Sequence, residues 1–168
     1  AVDGIESSTS PSEGSAIATS DGFTLAGVTD PEVGAQGETH SQTTSIRIPN
    51  DTSTGIVSVL ASVSLPSVTS GGNAVITTKI TCVETSETSS HDTTITQGSD
   101  HLSVTLVPPT FMNGAKTAGN TLTVEISRKP AQGSDTAGYQ SVVIHNLSVN
   151  IRRYNLPTVA QNRTFLPY

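Results

Sequence analysis

Tryptophan is absent from this chain of 168 residues, cysteine and methionine occur once each, and aromatic residues make up only 4%. Sugar-binding faces stack on aromatic rings, and three Tyr with three Phe give little material for one. A single cysteine, Cys82, excludes an intrachain disulfide and a multi-cysteine zinc site. It lies in an apolar run, where a free cysteine serves as a small buried hydrophobe. Charged residues are also scarce, at 13%, about half their usual share. That excludes a coiled coil or long helical bundle, which needs Glu, Lys and Arg in bulk. No stretch reaches the roughly 18 apolar residues of a membrane span. The start, Ala1-Val2-Asp3-Gly4, lacks the basic and apolar layout of a signal peptide and is compatible with removal of either an initiator Met or a leader.

Small hydroxyls fill the gap: 23 Ser and 26 Thr are present. The net charge of −6 is unevenly spread. Residues 1–40 hold Asp3, Glu6, Glu13, Asp21, Asp30, Glu32 and Glu38, with no Lys or Arg. The rest of the chain is close to neutral. An acidic, hydroxyl-rich segment repels nucleic acid, which is therefore not expected as a partner; without a spanning run, neither is a membrane. Residues 1–40 show no sustained period, and Ser7 to Ser15 reads as linker by composition. Phe23-Thr24-Leu25 and Val28 are its credible anchors, with one short strand at Phe23. The segment reads either as a solvated arm or as one that docks on basic surface of a neighbouring subunit.

From residue 43 the pattern has period 2. Thr44–Ile48 reads as a short strand stopped by Pro49. In Ile56–Leu65, Val57, Val59, Ala61, Val63 and Leu65 form one face, with serines opposite. Ser70-Gly71-Gly72-Asn73 reads as a turn joining this strand in a hairpin to Ala74–Val83. In that second strand Ile76, Ile80 and Cys82 share a face. Leu102, Val104 and Leu106 alternate with hydroxyls until Pro108-Pro109 ends the run. Leu122, Val124 and Ile126 alternate with Thr123, Glu125 and Ser127 before Pro130.

The final run, Ser141–Tyr154, changes parity: Val142 and Ile144 are even, whereas Leu147, Val149 and Ile151 are odd. A strand keeps its faces only by inserting a residue, which predicts a β-bulge or a crossing near His145-Asn146. Seven or eight such strands make an all-β fold, an antiparallel β-sandwich that is jelly-roll-like, with extended N-terminal and C-terminal arms. The division expected is an arm at 1–40, a sandwich at 41–154 and an extension at 155–168. Strands clad in Ser and Thr desolvate cheaply against another protein, since no ion loses its water.

Chemistry is sparse. His40, His91, His101 and His145 are dispersed along the chain. His91-Asp92 and Asp100-His101 flank Gln97-Gly98, and a hairpin there brings them near each other in a metal-capable pairing. The bland reading, polar loop residues, is the one adopted. Gln97-Gly98-Ser99-Asp100 and Gln132-Gly133-Ser134-Asp135 echo each other as turns of two hairpins. There is no Gly-x-Ser-x-Gly elbow, no carboxylate pair to nominate and no phosphate loop. The chain is therefore read as a non-enzyme, with no catalytic residue, metal ligand or cofactor. Candidate interaction residues are Phe23 and Leu25 in the N-terminal segment, and Arg152, Arg153, Tyr154, Arg163, Phe165 and Tyr168 near the C-terminus.

The segments Asn120–Arg128, Ser134-Asp135-Thr136 and Val142–Ile151 combine a strand ending in Arg, a loop bearing Asp-Thr and a long final strand. This resembles the end of small β-sandwich domains in structural proteins of tailed bacteriophages, such as head decoration proteins, fibres and tail appendages. The resemblance implies a trimeric or other multimeric sandwich on the virion surface, with no catalytic residues to transfer. The acidic arm and the extension from Asn155 depart from a fibre tip and favour a capsid-bound role. The expected function is a capsid decoration protein bridging subunits of the major capsid protein or other virion proteins. The alternative is a receptor- or glycan-binding head of a tail fibre or an extracellular adhesin.

Overall fold

The computed structural model describes residues 14–20, 23–25, 40–50, 53–66, 72–130, 133–137 and 140–153. They form β1 (Gly14–Ser20), β2 (Phe23–Leu25), β3 (His40–Arg47), β4 (Ser53–Leu65), β5 (Asn73–Cys82), β6 (Glu87–Thr96), β7 (Ser99–Phe111), β8 (Thr121–Arg128) and β9 (Val142–Arg153). One 3-10 turn, Asn113–Lys116, stands between β7 and β8. The first sheet has the order β1-β9-β4-β7, with β2 also on β9, and the second has the order β3-β8-β5-β6. All pairings are antiparallel.

Alternation along the strands builds one core from both sheets. Val57, Val59, Ala61, Val63 and Leu65 of β4 are buried, as are Ile76, Ile80 and Cys82 of β5 and Leu122, Val124 and Ile126 of β8. These are the faces that period 2 assigns. In β9, Ser62 pairs with Asn146 and Val63 with Ile144, so His145 is an extra residue. This is the bulge that the parity change predicts, and it lets Ile144 and Leu147 both reach the core.

Other expectations are corrected. Ile56–Leu65 and Ala74–Val83 do not form a hairpin, because β4 and β5 lie in different sheets. Each covers the other's apolar face from across the core, and both edges of β4 are taken by β7 and β9. Gly72 enters β5 with φ of 140°, and a Cβ there would lie 2.5 Å from the Thr136 carbonyl oxygen. Only glycine suits that approach. The echoed Gln-Gly-Ser-Asp loops are not hairpin turns either: β6 to β7 and β8 to β9 both pass between sheets.

The strand β6 escapes the period-2 reading because Ile95 is its one buried apolar residue. It is an edge strand held by its ladder to β5 rather than by burial. Pro108-Pro109 does not end β7, which runs on to Phe111. The strand lies at a sheet edge, and both prolines fall between the pairs Val59–Val107 and Val57–Thr110, opposite Ser58 alone. Proline is tolerated at such an edge bulge. Leu102, expected in the core, is 46% exposed at this edge. Residues 14–20 and 23–25 of the acidic segment pair with β9 of the same chain. Apart from His40, which opens β3, the rest of 1–40 and the extension at 155–168 lie outside the described residues.

Candidate functional site

Ser64 lies near the end of β4, between two irregularities. On one side, His145 is the bulged residue of β9. On the other, Val63 pairs with Leu102 and Leu65 with Ser99, so Asp100 and His101 of β7 together oppose Ser64. His101 takes the left-handed conformation, with φ of 47°. A histidine at positive φ is uncommon and marks a locally constrained backbone. Bulges re-aim side chains, and here two of them bring together residues that a regular ladder would separate.

The result is a compact polar cluster. The rings of His101 and His145 stack with centroids 3.8 Å apart and planes 15° from parallel. Ser64 Oγ lies 2.7 Å from Nε2 of His145. The same oxygen donates to Asp100 Oδ1 at 3.2 Å and accepts from the His101 backbone N–H at 2.9 Å. Asp100 Oδ1 is also 2.8 Å from Nδ1 of His101. That contact, followed by the Ser64 hydroxyl and the positive character of the two imidazoles, holds the Asp100 carboxyl below its ordinary range. Asp100 and His101 are exposed and His145 is half-buried.

Ser64, His145 and Asp100 contain the residue types of a nucleophilic triad, but not its order. The carboxylate bonds the serine and the neighbouring imidazole, whereas a triad needs it behind the base. The cluster suits ligation better: Asp100, His101 and His145 each offer a ligand atom, all within 4.8 Å of one another. His91-Asp92, which a hairpin would have brought near Asp100-His101, is on β6 in the second sheet, where Asp92 accepts from Thr77 Oγ1. Two features of the sequence foreshadowed the true grouping, the His101 carboxylate neighbour and the parity change at His145. Ser64 gave no signal among so many serines.

Beside this cluster, a stretch of the outward face of the first sheet carries no charge. Leu60 pairs with Thr105 and Ser148, and Ser62 with Ser103 and Asn146. These six residues line a shallow depression, with Leu60 44% exposed. On the second sheet, one row across β3, β8, β5 and β6 reads Ser45, Thr123, Thr81, Thr88, and the next reads Thr43, Glu125, Lys79, Ser90. Six of these eight positions are hydroxyls, and the two charges face each other on adjacent strands.

Among the described residues, the candidate interaction residues are distributed rather than gathered. Leu25 is buried in the core of its own chain, and Phe23 is half-buried against it. Arg152 is exposed and Arg153 half-buried at the end of β9. Tyr154, Arg163, Phe165 and Tyr168 lie outside the described residues. The strand-end Arg128 and the loop residue Asp135 meet as a buried ion pair. Comparison with known proteins finds no family model that matches this chain and no match among curated proteins.

Proposed function

We propose that this protein is a non-enzymatic structural component of a virus particle, a capsid decoration protein on the virion surface that bridges neighbouring major capsid subunits. The observation that carries the reading is the uncharged outward patch around Leu60, where four hydroxyls and the Asn146 amide surround an exposed leucine. Covering such a patch strips no ion of water and removes apolar surface from solvent. On the second sheet the row Ser45, Thr123, Thr81 and Thr88 offers a second uncharged stretch. Weak contacts of this sort become effective when many copies sit on one lattice.

The strand orders support a jelly-roll sandwich. Successive strands change sheet at β3, β4, β5, β7, β8 and β9, and the last strand lies between the first and the fourth. Jelly rolls are frequent in viral capsid proteins and lectins, so the fold is compatible with this function without requiring it. A homotrimer or other homo-oligomer is the expected state.

The test is to mix the purified chain with undecorated capsids and sediment them. Saturable binding, at a stoichiometry matching the capsid subunits, is the expected result. Binding to cells or polysaccharide in place of capsids overturns it in favour of a receptor-binding head.

A further inference from the structure

We infer that Asp100, His101 and His145 form a binding site for one divalent first-row transition-metal ion of the zinc class. Two imidazoles and one carboxylate are the donor set that such ions prefer, whereas calcium and magnesium select all-oxygen sites. The three donors already lie within 4.8 Å of one another, close to the spacing that bonds of about 2.0–2.2 Å to one centre require. They come from β7 and β9, the two strands that flank β4, so a bound ion clasps one neighbour of β4 to the other. Neither bulge alone suffices: the β7 irregularity presents Asp100 and His101 opposite Ser64, and the β9 bulge supplies His145.

Surroundings fit the assignment. Side chains of His101 and Asp100 are 66% and 83% exposed, so the ion has an entry path and water completes its shell. Ser64 Oγ touches His145 and Asp100 and receives the His101 amide. It is therefore placed as the neighbour that orients the ligands, the role that outer hydrogen bonds play at metal centres. The stacked rings lie in planes only 15° from parallel, with centroids 3.8 Å apart. One ion lies in both ring planes only where they cross, so loading opens the stack. That change is a signature distinct from adventitious surface binding. The inference is independent of the virion assignment and stands or falls separately.

The experiment uses the full chain, stripped with EDTA and titrated with zinc chloride by calorimetry, with magnesium chloride as control. One equivalent of zinc is expected, with none of magnesium. His101→Asn keeps a residue suited to positive φ, and His145→Gln keeps a polar side chain at the bulge. Each is expected to weaken zinc at least about tenfold. Imidazole NMR signals of the unsubstituted chain give a readout that needs no variant: His101 and His145 should shift on titration, while His40 and His91 stay in place. Absence of saturable binding overturns the proposal. So does an affinity unchanged in either variant, or a response centred on His40 or His91.

Discussion

Arg128 and Asp135 form a two-bond ion pair sealed from solvent: Nε donates to Oδ2 at 2.7 Å and the second terminal nitrogen to Oδ1 at 3.1 Å, with side-chain exposures of 0% and 1%. The guanidinium also donates to the backbone carbonyls of Leu25 and Gln140, and Asp135 Oδ2 accepts from the Val75 amide at 3.1 Å. The pair thus ties the end of β8 to β2, to β5 and to the approach to β9. Isolated charge in such a place is costly, so the arrangement holds only while both partners are present.

Asp135→Asn is therefore expected to destabilise the chain by about 3–5 kcal/mol, because it leaves the arginine buried without its counter-charge. Urea unfolding followed by circular dichroism measures this. A loss within 1 kcal/mol of zero, a margin set by the worth of a surface pair at about 0–1 kcal/mol, would count against the pair as a structural lock.

Thr78 presents the opposite case. Its hydroxyl is buried on the core-facing side of β5, with no hydrogen-bond partner among the described residues. Thr78→Val keeps the branched shape and removes the unmet polar group. A gain of about 1 kcal/mol is expected, read as a higher urea midpoint with unchanged slope.

Acid should loosen the 3-10 turn before it unfolds the sheets. The backbone N–H of Gly114, then that of Asn113, holds the Glu87 carboxyl below its ordinary value, through bonds of 2.6 and 2.9 Å. The Thr121 amide does the same for Glu84. A lowered folded-state pKa means a contribution fully present above the unfolded value of about 4.3 and lost as pH falls through the folded one. Protection of the Asn113, Gly114 and Thr121 amides, taken relative to the intrinsic exchange rate at each pH, should fall in that window ahead of that of Val124 in the ladder. Synchronous loss at all four sites would refute local release.

Leu60→Lys tests the proposed docking face. The side chain points outward and is 44% exposed, so folding stability should change by no more than about 0.5 kcal/mol. Association with undecorated capsids should weaken at least about tenfold, since a lysine must then be desolvated at the centre of the patch. Co-sedimentation at fixed salt provides the measurement, and an undiminished affinity would move the interface elsewhere.

The inward faces of β4, β5, β8 and β9 were legible from period 2, and so was the bulge at His145, because apolar parity records which side of a sheet each residue serves. Strand partners were not legible. Two strands that cover one core from opposite sides carry the same pattern as two strands of a hairpin, which is why period 2 alone reads β4 and β5 as neighbours. The strand β6 is nearly silent because edge pairing needs backbone groups and few apolar side chains. The cluster at Ser64 was half visible: its parts stood out at Asp100-His101 and His145, yet the register that unites them depends on a neighbour separated by most of the domain.

Among the described strands, β5 and β6 are the one consecutive pair that hydrogen-bond to each other within the second sheet, and no consecutive pair does so within the first. Most of the ladder therefore joins distant parts of the chain, a topology that folds slowly. The final strand β9 takes β1, β2 and β4 as its partners. During translation, β4 waits with one flank open until the last residues of β9 leave the ribosome. A polypeptide released before Val142 would expose that flank to other nascent chains, and aggregation rather than partial activity would be its fate.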